Sequence, residues 1–89
     1  MDETIWLAIY SNEMMASDFI TFLEFLNIND MKYTSYHGLE DDEIFINVTG
    51  NMTDIFNKQL SAITYYQSII QIEEPEYSDI DLIEEMSNT

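Results

Sequence analysis

Eighteen aspartates and glutamates in this chain stand against two lysines, Lys32 and Lys58, and no arginine, for a formal charge of −16 over 89 residues. Like charges at that density repel one another and oppose compaction. Any fold must therefore spread its carboxylates over the surface while burying a neutral core. The material for a core is present: 46% of the residues are hydrophobic, among them one tryptophan, six tyrosines and five phenylalanines. Disordered acidic chains lack that content. The length fits one small domain. A small protein needs a net charge of only roughly 2 to 8 units to stay soluble, so the excess points to a partner of opposite charge.

The carboxylates are clustered. Seven lie between Glu73 and Glu85, as Glu73, Glu74, Glu76, Asp79, Asp81, Glu84 and Glu85, and four form the run Glu40-Asp41-Asp42-Glu43. The first cluster contains the only proline, Pro75.

Around these clusters the chain alternates β-like and helical patterns. Thr4–Tyr10 is apolar on both faces, as a central strand requires. Ser11 and Asn12 are candidate helix caps, and Met15, Phe19, Phe22, Leu23 and Leu26 recur at spacings of three and four as far as Asn27. Met31–Tyr36 reads as a second strand, and His37-Gly38-Leu39 with the acidic run as a turn. Glu43–Thr49 alternates, with Ile44, Ile46 and Val48 on one face. Thr53 and Asp54 open a second helix whose inward stripe is Ile55, Phe56, Leu60 and Ile63. Residues 66–73 are read as a fourth strand on their β-formers, the alternative being a second helix that continues through Ile70. Ser78, followed by Asp79 and Asp81, has the form of an N-cap for a short acidic helix, with Ile80, Ile83 and Met86 as a weak apolar face.

This order, β-α-β-β-α-β, predicts an α+β fold of the ferredoxin-like, split βαβ type. Two helices would cover one face of a four-stranded antiparallel sheet, with a core over residues 1–74 and an acidic tail helix within 75–89. The open face would carry Trp6, Phe45 and Tyr33 or Tyr36, a surface through which such a domain could form a homodimer.

Composition excludes more chemistry than it permits. Without cysteine there are no disulfides or thiolate metal sites. Without arginine, an enzyme acting on anionic substrates has little with which to stabilise developing negative charge. His37 lies beside Gly38 with no nucleophile context around it. The carboxylate runs sit in expected turns, where solvent keeps them ionised, so they do not form an acid–base pair. A calcium loop fails too: with Asp79 and Asp81 in its first and third places, Glu84 falls where the glycine belongs. No metal, cofactor or catalytic residue is expected, and the chain is read as non-enzymatic. The N-terminus lacks the basic region of a signal peptide, no apolar run approaches the ~20 residues of a membrane span, and anionic lipid would repel the chain. The expected compartment is the cytoplasm, and direct nucleic-acid binding is disfavoured.

What remains is the carboxylate array. Side chains four apart on a helix are separated by about 6 Å along the axis, and side chains two apart on a strand by roughly 6.6 Å. Phosphates along one DNA strand are spaced comparably, roughly 6–7 Å, in a duplex with one charge per about 1.7 Å of axis. Asp81 with Glu85 and Asp41 with Glu43 form such pairs. In its length, acidity, near absence of cations and aromatic-containing core, the chain resembles the small acidic DNA-mimic proteins of bacteriophages and other mobile elements. These include anti-restriction and anti-CRISPR proteins and inhibitors of uracil-DNA glycosylase or histone-like proteins. The resemblance is one of type and rests on no shared motif. It implies an inhibitor acting in the host cytoplasm, occupying the nucleic-acid site of a basic defence or DNA-binding protein through Glu40–Glu43 and the seven carboxylates of 73–85. An immunity protein or antitoxin for one basic toxin, or an acidic subunit of a larger assembly, shares the same electrostatics.

Overall fold

The computed structural model describes residues 1–40 and 42–88, and of Leu82 and Ile83 the backbone alone. In chain order the elements are β1 (Glu3–Tyr10), α1 (Ala16–Ile28), β2 (Lys32–Gly38), β3 (Glu43–Gly50), α2 (Asp54–Tyr66), β4 (Ile70–Ile72), a 3-10 turn (Tyr77–Asp79) and β5 (Ile80–Ser87). The strands form one antiparallel sheet in the order β4-β1-β3-β2-β5. The fold is α+β, but the expected four-stranded, ferredoxin-like sheet with an acidic C-terminal helix is not what forms. Residues 80–87 are a fifth strand.

Alternation in the central strands sends side chains to two separate clusters. Leu7 and Ile9 of β1, Ile46 and Val48 of β3, and Tyr33 of β2 meet Phe22, Leu23 and Leu26 of α1 and Phe56 and Leu60 of α2. Ala8 and Phe45 point the other way and join Ile80, with Trp6, Tyr36 and Ile72 packed around them. Register fixes this second cluster: Ala8 lies opposite Phe45, which lies opposite Tyr36, and Trp6 lies opposite Ile72. Both faces of β1 and β3 are thus covered, consistent with the apolar character of Thr4–Tyr10.

Helix starts differ from the pattern in one case. Thr53 caps α2 through its side chain, which accepts from the Phe56 N–H at 3.1 Å. Ser11 and Asn12 do not cap α1; the N-cap is Met15, with no side-chain bond. Consequently Met15 is 70% exposed, and Met14 packs against the core in its place. Ile55, in the first turn of α2, is likewise exposed. Asp30 (φ 58°) and Ser68 (φ 55°) take left-handed backbone just beyond the two helices, as residues that end helices commonly do. Residues 70–72 are strand, and α2 ends at Tyr66, so the helix does not run on to Ile70.

β5 forms because a four-stranded sheet would leave the outer edge of β2 unpaired. An isolated helix of this length is marginal in water, and a weak apolar face would add little to it. As a strand, the segment buries Ile80 and satisfies the β2 backbone. Asn88 fastens its end. Its side chain accepts from the Tyr33 N–H at 2.7 Å and donates to the Met31 carbonyl at 2.8 Å and to Asn27 Oδ1 at 2.7 Å. No helix among the described residues is long and apolar enough to cross a membrane.

Asn88→Ala removes the side-chain bonds and leaves the Tyr33 N–H without its close acceptor. A part-buried group so orphaned costs about 1–3 kcal/mol. The expected outcome is a loss of that size in urea unfolding, with faster hydrogen exchange along the β2–β5 ladder than along β1–β3.

Candidate functional site

β4 and β5 lie at opposite edges of the sheet, so the chain between them must cross it. Four inter-strand spacings of about 4.8 Å amount to ~19 Å. The eight Cα steps from Ile72 to Ile80 span at most about 26–29 Å when fully extended, so there is little slack for a detour. The connector carries Glu73, Glu74, Glu76 and Asp79, all exposed. It crosses the face that bears no helix. Pro75 and Asp79 line a cleft with Ile72, Phe45, Leu39, Glu40 and Glu43. Buried Phe45 is therefore roofed by the connector, and beside it Trp6 and Tyr36 stack with ring centroids 6.1 Å apart.

This route brings together carboxylates more than thirty positions apart in sequence. Glu40 and Glu43 of the β2–β3 turn share the cleft with Asp79 of the connector. Glu74 and Glu76 flank Pro75 on the same crossing, with Glu73 leading into it from β4. Asp81, Glu84 and Glu85 are exposed on β5. The expected helical spacing of Asp81 and Glu85 is replaced by a bulged strand: between the pairs Gly38–Ile80 and Tyr36–Glu84, β5 advances four residues while β2 advances two. Glu85 Oε1 lies 2.8 Å from His37 Nε2, and His37 is on β2 rather than in a turn. Asp42 and Glu43 are half-buried, and Asp41 lies outside the described residues.

Glu43 is held in place by its surroundings. Gly38 is its neighbour across β2–β3, and a Cβ there would collide with the Glu43 carboxylate. The bare glycine leaves room for it. From the other side the Tyr10 hydroxyl donates to Glu43 Oε2 at 3.4 Å. Burial, and after it the charge of Glu43, this hydrogen bond and the charges of Asp42 and Glu13, push the Tyr10 phenol above its ordinary value. Each of these favours the neutral hydroxyl. Tyr10 was not legible as a site residue; its place opposite Glu43 in the β1–β3 register is the signal that finds it.

At the entry to α1, on the helix-bearing face and so on the other side of the sheet from the connector cleft, lies an apolar pocket of about 230 Å³ lined by Ile9, Ser11, Met14, Ala16, Phe19 and Ile44. The Ser11 N–H donates to the Asp42 carbonyl at 2.8 Å, tying the pocket wall to the acidic turn. Among the described residues no group of three or more His, Cys, Asp or Glu side chains is arranged to hold a metal ion. Comparisons with protein-family models, with curated proteins and with solved structures find no significant match.

The raised Tyr10 pKa has a consequence for stability. The neutral phenol contributes fully below the unfolded value of about 10, and that contribution is lost as pH rises through the higher folded value. Urea midpoints measured from neutral pH into this alkaline range should fall less steeply for Tyr10→Phe than for the wild type. Glu43→Gln, which brings the folded value back towards the unfolded one, should make the alkaline loss smaller and complete it at lower pH.

Proposed function

We propose that this protein is a non-enzymatic inhibitor. Its carboxylates stand in for nucleic-acid phosphates and occupy the binding site of a basic host-defence or DNA-binding protein, a CRISPR effector or restriction nuclease being the class that fits best. The observation that supports this reading most directly is the convergence of Glu40 and Glu43 with Asp79 on one cleft. A rim assembled from two distant acidic segments, on a chain with two lysines and no arginine, is what a phosphate-binding groove would recognise. Lysine and arginine placed for phosphates meet carboxylates on a backbone already fixed by the sheet and Pro75, with Glu43 also bonded to Tyr10. Charge-assisted hydrogen bonds form at little further ordering cost, and the net charge steers association.

The apolar pocket on the helix-bearing face favours a second reading, an immunity protein that neutralises one basic toxin. A partner that seats a hydrophobic anchor in the pocket formed by Met14, Phe19 and Ile44 would bind through a compact hot spot.

The test is capture from nuclease-treated host lysate with stepwise salt elution, followed by competition with duplex DNA. The first reading expects a nucleic-acid-binding protein released by salt and displaced by DNA. Each lost charge-assisted contact costs about 1.5–3 kcal/mol. Glu40→Lys with Asp79→Lys should therefore weaken binding by at least about a hundredfold, with the circular dichroism spectrum unchanged. Affinity unaltered by that double reversal removes the phosphate-mimic reading. A partner that withstands high salt, ignores DNA and is lost on Ala16→Phe supports the second.

A further inference from the structure

The carboxylates are absent from one part of the molecule. From Ile55 to Ile72 the chain holds no Asp or Glu and one cation, Lys58. That run comprises α2 beyond its first residue, the turn after it and all of β4. Several of its apolar side chains are nevertheless out in solvent: Tyr65 is 82% exposed, Tyr66 80% and Ile70 49%. The two tyrosines pack edge to face at 5.3 Å, at the end of α2 just before β4. β4 is also a sheet edge, paired with β1 on one side only.

We infer that this face is a self-association surface, and that a second copy of this chain covers it by antiparallel β4–β4 pairing across a two-fold axis at Gln71. The occupant follows from charge. Two molecules of charge −16 repel, and contact is least opposed where neither carries carboxylates. The other sheet edge, β5, carries exposed Asp81, Glu84 and Glu85, so like charge blocks edge pairing there. Pairing at Gln71 sets Ile70 of each copy opposite Ile72 of the other. Glu73 faces Ile69, and the two Glu73 residues stand four residues apart along the strands. That is about 13 Å, beyond the screening length of roughly 8–10 Å at ordinary ionic strength.

The contact area suits a weak dimer. Fully buried aromatics cover about 150–250 Å² each, so two largely exposed tyrosines offer roughly 250–400 Å² of the ~800 Å² per partner typical of a stable interface. Ile70 and Gln71 of β4 add to it. The product is a continuous sheet with an acidic β5 at each far end. This inference is independent of the phosphate-mimic reading.

Sedimentation equilibrium over a concentration series tests it. The expected result is a reversible monomer–dimer equilibrium that strengthens with salt, because screening relieves the remaining repulsion; binding to a basic partner responds in the opposite direction. Ile70→Glu should weaken dimerisation at least tenfold, and Tyr65→Ser with Tyr66→Ser should do the same without touching the sheet. Antiparallel partners have Cα atoms about 4.5–5.5 Å apart, within disulfide range. In this cysteine-free chain, Gln71→Cys should therefore cross-link on mild oxidation, whereas Asn51→Cys should not. A wild-type protein that stays monomeric throughout overturns the inference. So does a dimer that tolerates these substitutions, or one that fails to cross-link through Gln71→Cys.

Discussion

Repulsion between carboxylates sets the terms on which this chain folds. Two unit charges about 6.6 Å apart in water oppose each other by about 0.6 kcal/mol, and a chain with eighteen carboxylates against two lysines contains many such pairs. The fold meets this by keeping acids out of the interior. Among the described residues Ser35 is the buried polar side chain, while the core consists of uncharged residues, chiefly from β1, β3, α1 and α2. Acidic residues occupy the β2–β3 turn, the connector and β5, where solvent and salt weaken their interaction. The central β1–β3 pair, covered on both faces, provides the burial that offsets what repulsion remains.

The sheet is closed by its least local part. β5 reaches β2 after a crossing from the opposite edge, and Asn88 secures it to the α1–β2 turn and the start of β2. One segment thereby performs two tasks: it pairs the open edge of β2 and draws the connector over Phe45. The acidic rim is a result of this closure. Without β5 in place, nothing would hold Asp79 beside Glu40 and Glu43.

The sequence made the central elements legible for physical reasons that act locally. β1 is apolar on both faces, β3 alternates, and Thr53 carries the hydroxyl that caps α2. The C-terminal segment was not legible, because Ile80, Ile83 and Met86 satisfy a helical spacing and Ser78 offers a cap. What decides for strand is the unpaired edge of β2, more than forty positions away, which no local pattern reports. Met15 and Ile55 illustrate the same limit: each extends an apolar stripe, yet both stand at helix starts, beyond the reach of the core. For the candidate site, the acidic residues themselves were evident from composition. Their arrangement depended on the path of the connector, and the part played by Tyr10 on strand register.

Tethering bears on how an acidic surface could bind at all. Ordering a free backbone costs roughly 1–2 kcal/mol per residue, so a flexible tail with the same charges would surrender much of its attraction on binding. Here the connector is fixed at Ile72 and Ile80, stiffened by Pro75 and seated on Phe45. Its ordering cost has been met by the packing of Ile72 and Ile80 at its two ends. A partner that binds the rim gains the electrostatic attraction without also having to organise the chain. That distinguishes a structured acidic rim from acidic composition alone, and it makes the geometry of Glu40, Glu43 and Asp79 a stronger basis for the proposed inhibition than net charge.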